Sequence, residues 1–198
     1  MNTPHLLFPG TTIRFLSMNF FMVPAGTVMT KVLVAYATKR GSTAEIAAAI
    51  GRELRQAGCE ADVAKMGQVV SLAGYDAVVI GAPVYTGKVL GDVGTFAARF
   101  KEQLKKIPVA GFVAGIAPVY PKAGEVAGFT GQLAGILDEI PLIAVTMFAG
   151  ALDPARLSFL ERGMTSLFRV PTGDFRDWDA VAAFARGLPP LLTRGTAG

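Results

Sequence analysis

From residue 31 onward, short apolar runs alternate with stretches in which apolar residues recur at helical spacing. Residues 31–37 (KVLVAYA) are rich in Val, Leu and Tyr without polar alternation, the pattern of a strand covered on both faces. In residues 43–57, Ile46, Ala47, Ile50 and Leu54 fall on one helical face, with Glu45, Arg52, Glu53 and Arg55 on the wet one and Gly58 as the stop. Residues 60–65 read as a second strand and residues 75–82 (YDAVVIGA) as a third, ended by Gly81-Ala82-Pro83.

The alternation continues. Residues 93–107 place Phe96, Phe100, Leu104 and Ile107 at helical intervals before Pro108, residues 109–117 form a fourth strand, and residues 122–140 are Gly-rich but helically periodic. Residues 141–149 supply a fifth strand. A second amphipathic stretch follows, with Leu157, Leu160, Met164, Leu167 and Phe168 beside Arg156, Arg162 and Arg169. A turn at 171–173 leads to Asp177, placed to cap a last helix through Trp178, Val181, Phe184 and Ala185. Strands alternating with helices, apart from the loop between the second and third strands, predict an α/β domain, a doubly wound five-stranded parallel sheet. The domain is expected over residues 30–190, preceded by an extension at 1–29, either disordered or an over-extended start, and followed by a disordered tail at 191–198.

Composition narrows the chemistry. With 198 residues and 52% hydrophobic content, one domain can bury a sizeable core. The apolar runs fall short of the roughly twenty residues that span a bilayer. Cys59 is the only cysteine and His5 the only histidine, so the expected domain has no imidazole for a triad and no thiol pair for a redox or zinc site. A reducing, cytoplasmic setting fits this cysteine usage. The formal charge of +4 favours anionic partners, but no basic run interleaved with aromatics marks a nucleic-acid surface, and none is expected.

The most informative segment is residues 34–50, VAYATKRGSTAEIAAAI. A buried strand ends in Thr38-Lys39-Arg40-Gly41-Ser42-Thr43 and a helix begins at once, gathering hydroxyls and backbone N–H groups at a positive helix end. Gly41 permits close approach, Thr38, Ser42 and Thr43 can donate hydrogen bonds, and Arg40 adds charge. That is a phosphate site on physical grounds, with an ordinary N-capped helix as the plainer alternative. A second loop, Pro83-Val84-Tyr85-Thr86-Gly87, follows the third strand, and a third runs from Ala117 to Tyr120 after the fourth.

Tyr36, Thr38, Gly41, Thr43, Ala47 and Ile50 stand at the spacing of the flavodoxin signature, and the chain resembles that family from residue 31 to about residue 188. The resemblance implies a flavodoxin-like sheet of order 2-1-3-4-5, the order for which the general rule of ligand binding at the switch point cites flavodoxin and its FMN as an example. It implies FMN as cofactor, its phosphate at residues 38–43 and its ring between Tyr85, the 84–87 backbone and Ala117 to Tyr120. Phe148-Ala149-Gly150-Ala151-Leu152 and Asp177-Trp178-Asp179 resemble a flavodoxin subgroup that includes menaquinone-dependent protoporphyrinogen IX dehydrogenase. This implies an oxidoreductase or electron-transfer protein whose partner is a redox protein, a quinone or a small-molecule donor. The Leu157-to-Phe168 stripe is expected to pack on its own sheet; the alternative is contact with a membrane or a quinone reductant. A cofactor-free flavodoxin-fold binding or regulatory module is the competing reading of the whole chain.

Overall fold

The computed structural model describes residues 29–192. Five strands, β1 (Lys31–Tyr36), β2 (Glu60–Lys65), β3 (Ala77–Tyr85), β4 (Val109–Gly115) and β5 (Leu142–Ala149), are parallel and lie in the order β2-β1-β3-β4-β5. The expected order 2-1-3-4-5 is the observed one. The helices are α1 (Ser42–Gln56), α2 (Asp92–Leu104), α3 (Val126–Ile136), α4 (Phe159–Leu167), α5 (Trp178–Gly187) and α6 (Pro189–Leu192).

The alternation of side chains along β1 explains why the sheet is covered twice. Val32 and Val34 face one side, where Ile46, Ile50 and Leu54 of α1 and Val181 and Ala185 of α5 complete a core with Val79, Phe112 and Phe148. Leu33 and Ala35 face the other, against Val78, Ile80, Phe96, Phe100, Leu104, Phe129 and Leu133 under α2 and α3. Ile46, Ile50 and Leu54 are fully buried, each stabilising the docking of α1 by about 1.5–3 kcal/mol. Asp177 caps α5 as expected, its side chain accepting from Ala180 N–H at 2.9 Å. Helices on both faces leave one free place for a ligand, the crevice beyond the strands' carboxyl ends.

The structure corrects four expectations. The third strand does not stop at Gly81-Ala82-Pro83 but runs to Tyr85. Gly81 C=O accepts from Ala37 N–H at 2.8 Å just past the end of β1, and Pro83 faces the same side two residues on. Its missing N–H therefore loses no ladder bond, and Lys88–Val89 folds back antiparallel there, with Leu90 N–H donating to Pro83 C=O at 3.1 Å. The helix expected over 122–140 is cut to Val126–Ile136, because Pro121–Ala123 forms a separate 3-10 turn closed by Gly124 N–H on Pro121 C=O. Order persists past residue 190, where α6 tucks Leu192 into the core. The Leu157-to-Phe168 stripe does not pack on the sheet: Leu157 is buried, but no residue of α4 is.

The expected extension lies outside the described residues apart from Met29, as do residues 193–198. Among the described residues no helix is long and apolar enough to cross a membrane, and no cluster of His, Cys, Asp and Glu is built for a metal. Cys59 is buried, which pushes its thiol pKa up and keeps it protonated.

Gly81 leaves the space that the Phe112 ring fills: a Cβ there would stand 2.2 Å from Phe112 Cζ. Gly81→Ala is therefore expected to destabilise the fold by about 1–3 kcal/mol through overpacking. Urea unfolding checks this; an unchanged midpoint would mean that the ring has room to move.

Candidate functional site

The turn between β1 and α1 is built to present bare N–H groups. Gly41 is the N-cap of α1 with φ +94°, in the left-handed region that glycine alone enters cheaply, and no side chain caps the helix. The first backbone N–H groups of α1, starting at Ser42 and Thr43, have no intrahelical acceptor. An ordinary capping turn would spend a hydroxyl on them, and this one does not. Thr38 is used behind the turn instead, its hydroxyl accepting Gly41 N–H at 3.0 Å. Ser42 Oγ accepts Ala151 N–H at 2.9 Å, which locks the turn to the segment after β5 and leaves its proton to donate.

These groups open into a cleft of about 560 Å³ at the carboxyl ends of the strands. Arg40, Ser42, Thr43, Pro83, Val84, Tyr85, Thr86, Gly87, Ala117 and Tyr120 all line it. Thr38 and Gly41 shape the turn from behind. Gly150 also lines the wall, and a Cβ there would come within 3.3 Å of Ser42 Oγ, so the wall stays thin at that point. Hydroxyls and N–H groups thus stand at one end of the cleft, and aromatic and aliphatic side chains along it.

Sequence reasoning missed the far wall, made of Leu157, Glu161, Met164, Thr165 and Phe168 from α4 and its approach. Glu161 is the centre of its polar contacts. Its carboxylate accepts from Arg40 Nη2 and from Tyr85 Oη, the latter at 2.6 Å, and Ser158 N–H donates to it at 2.8 Å. Ser158 and Glu161 form the capping box of α4. The hydrogen bonds from the Ser158 hydroxyl, Tyr85, Ser158 N–H and Arg40 hold the Glu161 carboxyl far below the usual carboxylate range. The same contact raises the Arg40 pKa. Arg40 also donates to Arg156 C=O, and Arg156 Nη1 returns a bond to Arg40 C=O at 3.0 Å. Tyr120 Oη donates to Phe168 C=O at 2.9 Å and ties down the other end of α4.

Two details set what the cleft can accept. Arg40 Nε is buried with no partner among the described residues. Lys39 Nζ lies 3.3 Å from the centroid of the Tyr85 ring, so one face of that ring is covered by a cation. The Ser158-x-x-Glu161 spacing was readable as a helix start; that Glu161 also reaches Arg40 and Tyr85 leaves no trace in the local sequence.

Protoporphyrinogen IX dehydrogenase (quinone) of Escherichia coli (strain K12) is 26% identical over 179 residues, covering 84% of this chain and 98% of that protein. Among solved structures, rubredoxin oxygen:oxidoreductase from the anaerobe Desulfovibrio gigas superposes with a TM-score of 0.59 at 15% identity. That match covers 86% of this chain, which spans only 38% of the larger protein. A flavodoxin from the domain Archaea gives a TM-score of 0.51 at 12% identity, over 83% of this chain and 99% of that one. Both structures share the fold. Residues 33–179, most of the described residues, match the family described as Flavodoxin domain, and this chain belongs to that family.

Proposed function

We propose that the chain is an FMN-dependent oxidoreductase that takes reducing equivalents from a porphyrinogen-type substrate and delivers them to a quinone. The observation that carries the reading is the meeting of the uncapped α1 N-terminus with the 83–87 turn and Tyr120 around one cleft. FMN fits the donor set. Its phosphate dianion matches the orphan N–H groups and the Ser42 and Thr43 hydroxyls. The apolar length of the cleft, with Val84, Tyr85, Ala117 and Tyr120, suits a flat ring. When bound, FMN supplies the redox step, accepting a hydride equivalent from the reduced substrate and yielding it to the acceptor.

The protein's own residues hold and orient. Ser42 and Thr43 bind, Gly41 lets the backbone come close, and Thr38 keeps the turn in shape. The Tyr85 hydroxyl is oriented by Glu161 and its ring is covered by Lys39, which must leave that face for a flavin to stack there. The kinship with the quinone-linked dehydrogenase supports the choice of donor and acceptor. Purified protein should be yellow and release FMN on denaturation. Anaerobic reduction by protoporphyrinogen followed by reoxidation with a quinone series tests the full reading, and reduction with neither turnover would leave an electron carrier. Colourless protein that fails to bind added FMN would favour the cofactor-free module.

Ser42→Ala combined with Thr43→Ala should weaken FMN binding by a few kcal/mol, since a hydrogen bond to a charged group contributes roughly 1.5–3 kcal/mol. Fluorescence titration of apoprotein measures it; undiminished affinity would remove both hydroxyls from the phosphate site.

Glu161 carries a pH prediction with a definite sign. Its folded pKa is depressed, so the clamp on α4 is fully present above the unfolded carboxylate's pKa and is lost as pH falls through the folded value. Hydrogen exchange corrected for intrinsic rates should show steady protection of α4 from neutral pH down to about pH 5 and loosening in stronger acid. Glu161→Gln should be loosened already at neutral pH and respond little to acid. Equal protection in both proteins would assign α4 to some other anchor.

A further inference from the structure

α4 has two faces with opposite fates. One lines the cleft through Glu161, Thr165 and, just past the helix, Phe168. The other leaves Phe159 91%, Leu160 78% and Leu167 76% exposed, while Met164 and Phe168, each more than half exposed, stand at the border and also line the cleft. Positions 159, 160, 164 and 167 fall on one continuous arc of the helix, with Gly163 between them, so the side chains of Phe159, Leu160, Met164 and Leu167 make a single apolar ridge. Leaving it in water is costly, and a solitary exposed leucine is no precedent for it.

The charges of residues 154–170 that have no carboxylate partner are positive. Glu161 is the only acid in residues 154–170, and it is turned inward onto Arg40. Arg156 is occupied by Glu45 and Asp153. Arg162 and Arg169 are exposed, and among the described residues neither is paired with a carboxylate; Arg162 Nε donates only to Leu157 C=O, at 3.1 Å. A second copy meeting this face about a twofold axis would bring arginines toward arginines. A surface that is apolar in its interior and anionic at its boundary complements both features. We infer that the outer face of α4 docks on a bilayer bearing anionic phospholipid headgroups, with Phe159, Leu160 and Leu167 entering the acyl boundary and Arg162 and Arg169 meeting phosphates. At nine residues the helix lies in the interface and does not span it. Because the same helix walls the cleft, docking brings the cleft to the layer in which a quinone dissolves; this last clause alone rests on the proposed function.

Co-sedimentation of the full chain tests the inference, using phosphatidylcholine vesicles with and without about one-third phosphatidylglycerol. The wild type should partition at least tenfold more strongly to the anionic vesicles, an advantage that high salt removes. Leu160→Gln with Leu167→Gln should lose at least tenfold in binding, and Arg162→Gln with Arg169→Gln should lose the preference for anionic lipid. Both variants should keep the wild-type circular dichroism and melting curve, since the side chains are exposed. No binding to either vesicle, undiminished binding of the leucine variant, or a dimer in sedimentation velocity that this variant dissolves would overturn docking. The assay reads neither flavin nor turnover. Colourless protein that docks would sink the redox reading alone, and yellow, quinone-active protein that stays in the supernatant would sink docking alone.

Discussion

The site depends on a helix that begins without a cap. The first turn of any helix leaves N–H groups that must find acceptors, and a polar turn normally supplies one from a Ser or Thr hydroxyl. Here Thr38, Ser42 and Thr43 surround the start of α1, yet none of them caps it: Thr38 accepts from Gly41 and Ser42 from Ala151. The donors stay available, and the helix dipole points the same way. Because β1 is buried on both faces and flanked by β2 and β3, the turn is held firmly enough to keep these groups bare.

The opposite wall is held by different physics. α1 is fixed by fully buried side chains, whereas α4 buries none of its own. Its position rests on Leu157, on the Glu161 contacts with Arg40 and Tyr85, and on the bond from Tyr120 to Phe168. Polar contacts at a partly wet boundary contribute far less than a packed core, and they respond to pH and salt. One wall of the cleft is therefore rigid and the other is the element most easily displaced.

Arg40 joins the two walls. It lies in the turn expected to hold phosphate, but its guanidinium is committed to Glu161 and Arg156, with Nε left over. The turn after β1 and the position of α4 thus share one side chain.

What the sequence determined by itself is the framework: five strands, their helices, the turn at 38–43 and the doubly wound class. Those features are written in local periodicity and in the chemistry of a single turn, so neighbouring residues suffice to read them. The run of β3 through Pro83 escaped such reading, because whether a proline costs a hydrogen bond depends on where the adjacent strand ends. The fate of the Leu157-to-Phe168 stripe escaped it as well: periodicity records that a helix has an apolar face but not which surface that face meets. The tertiary structure alone decided that Glu161, placed by its capping box as a helix start, reaches across 121 positions of chain to Arg40, since contacts between distant segments arise from topology and leave no local pattern.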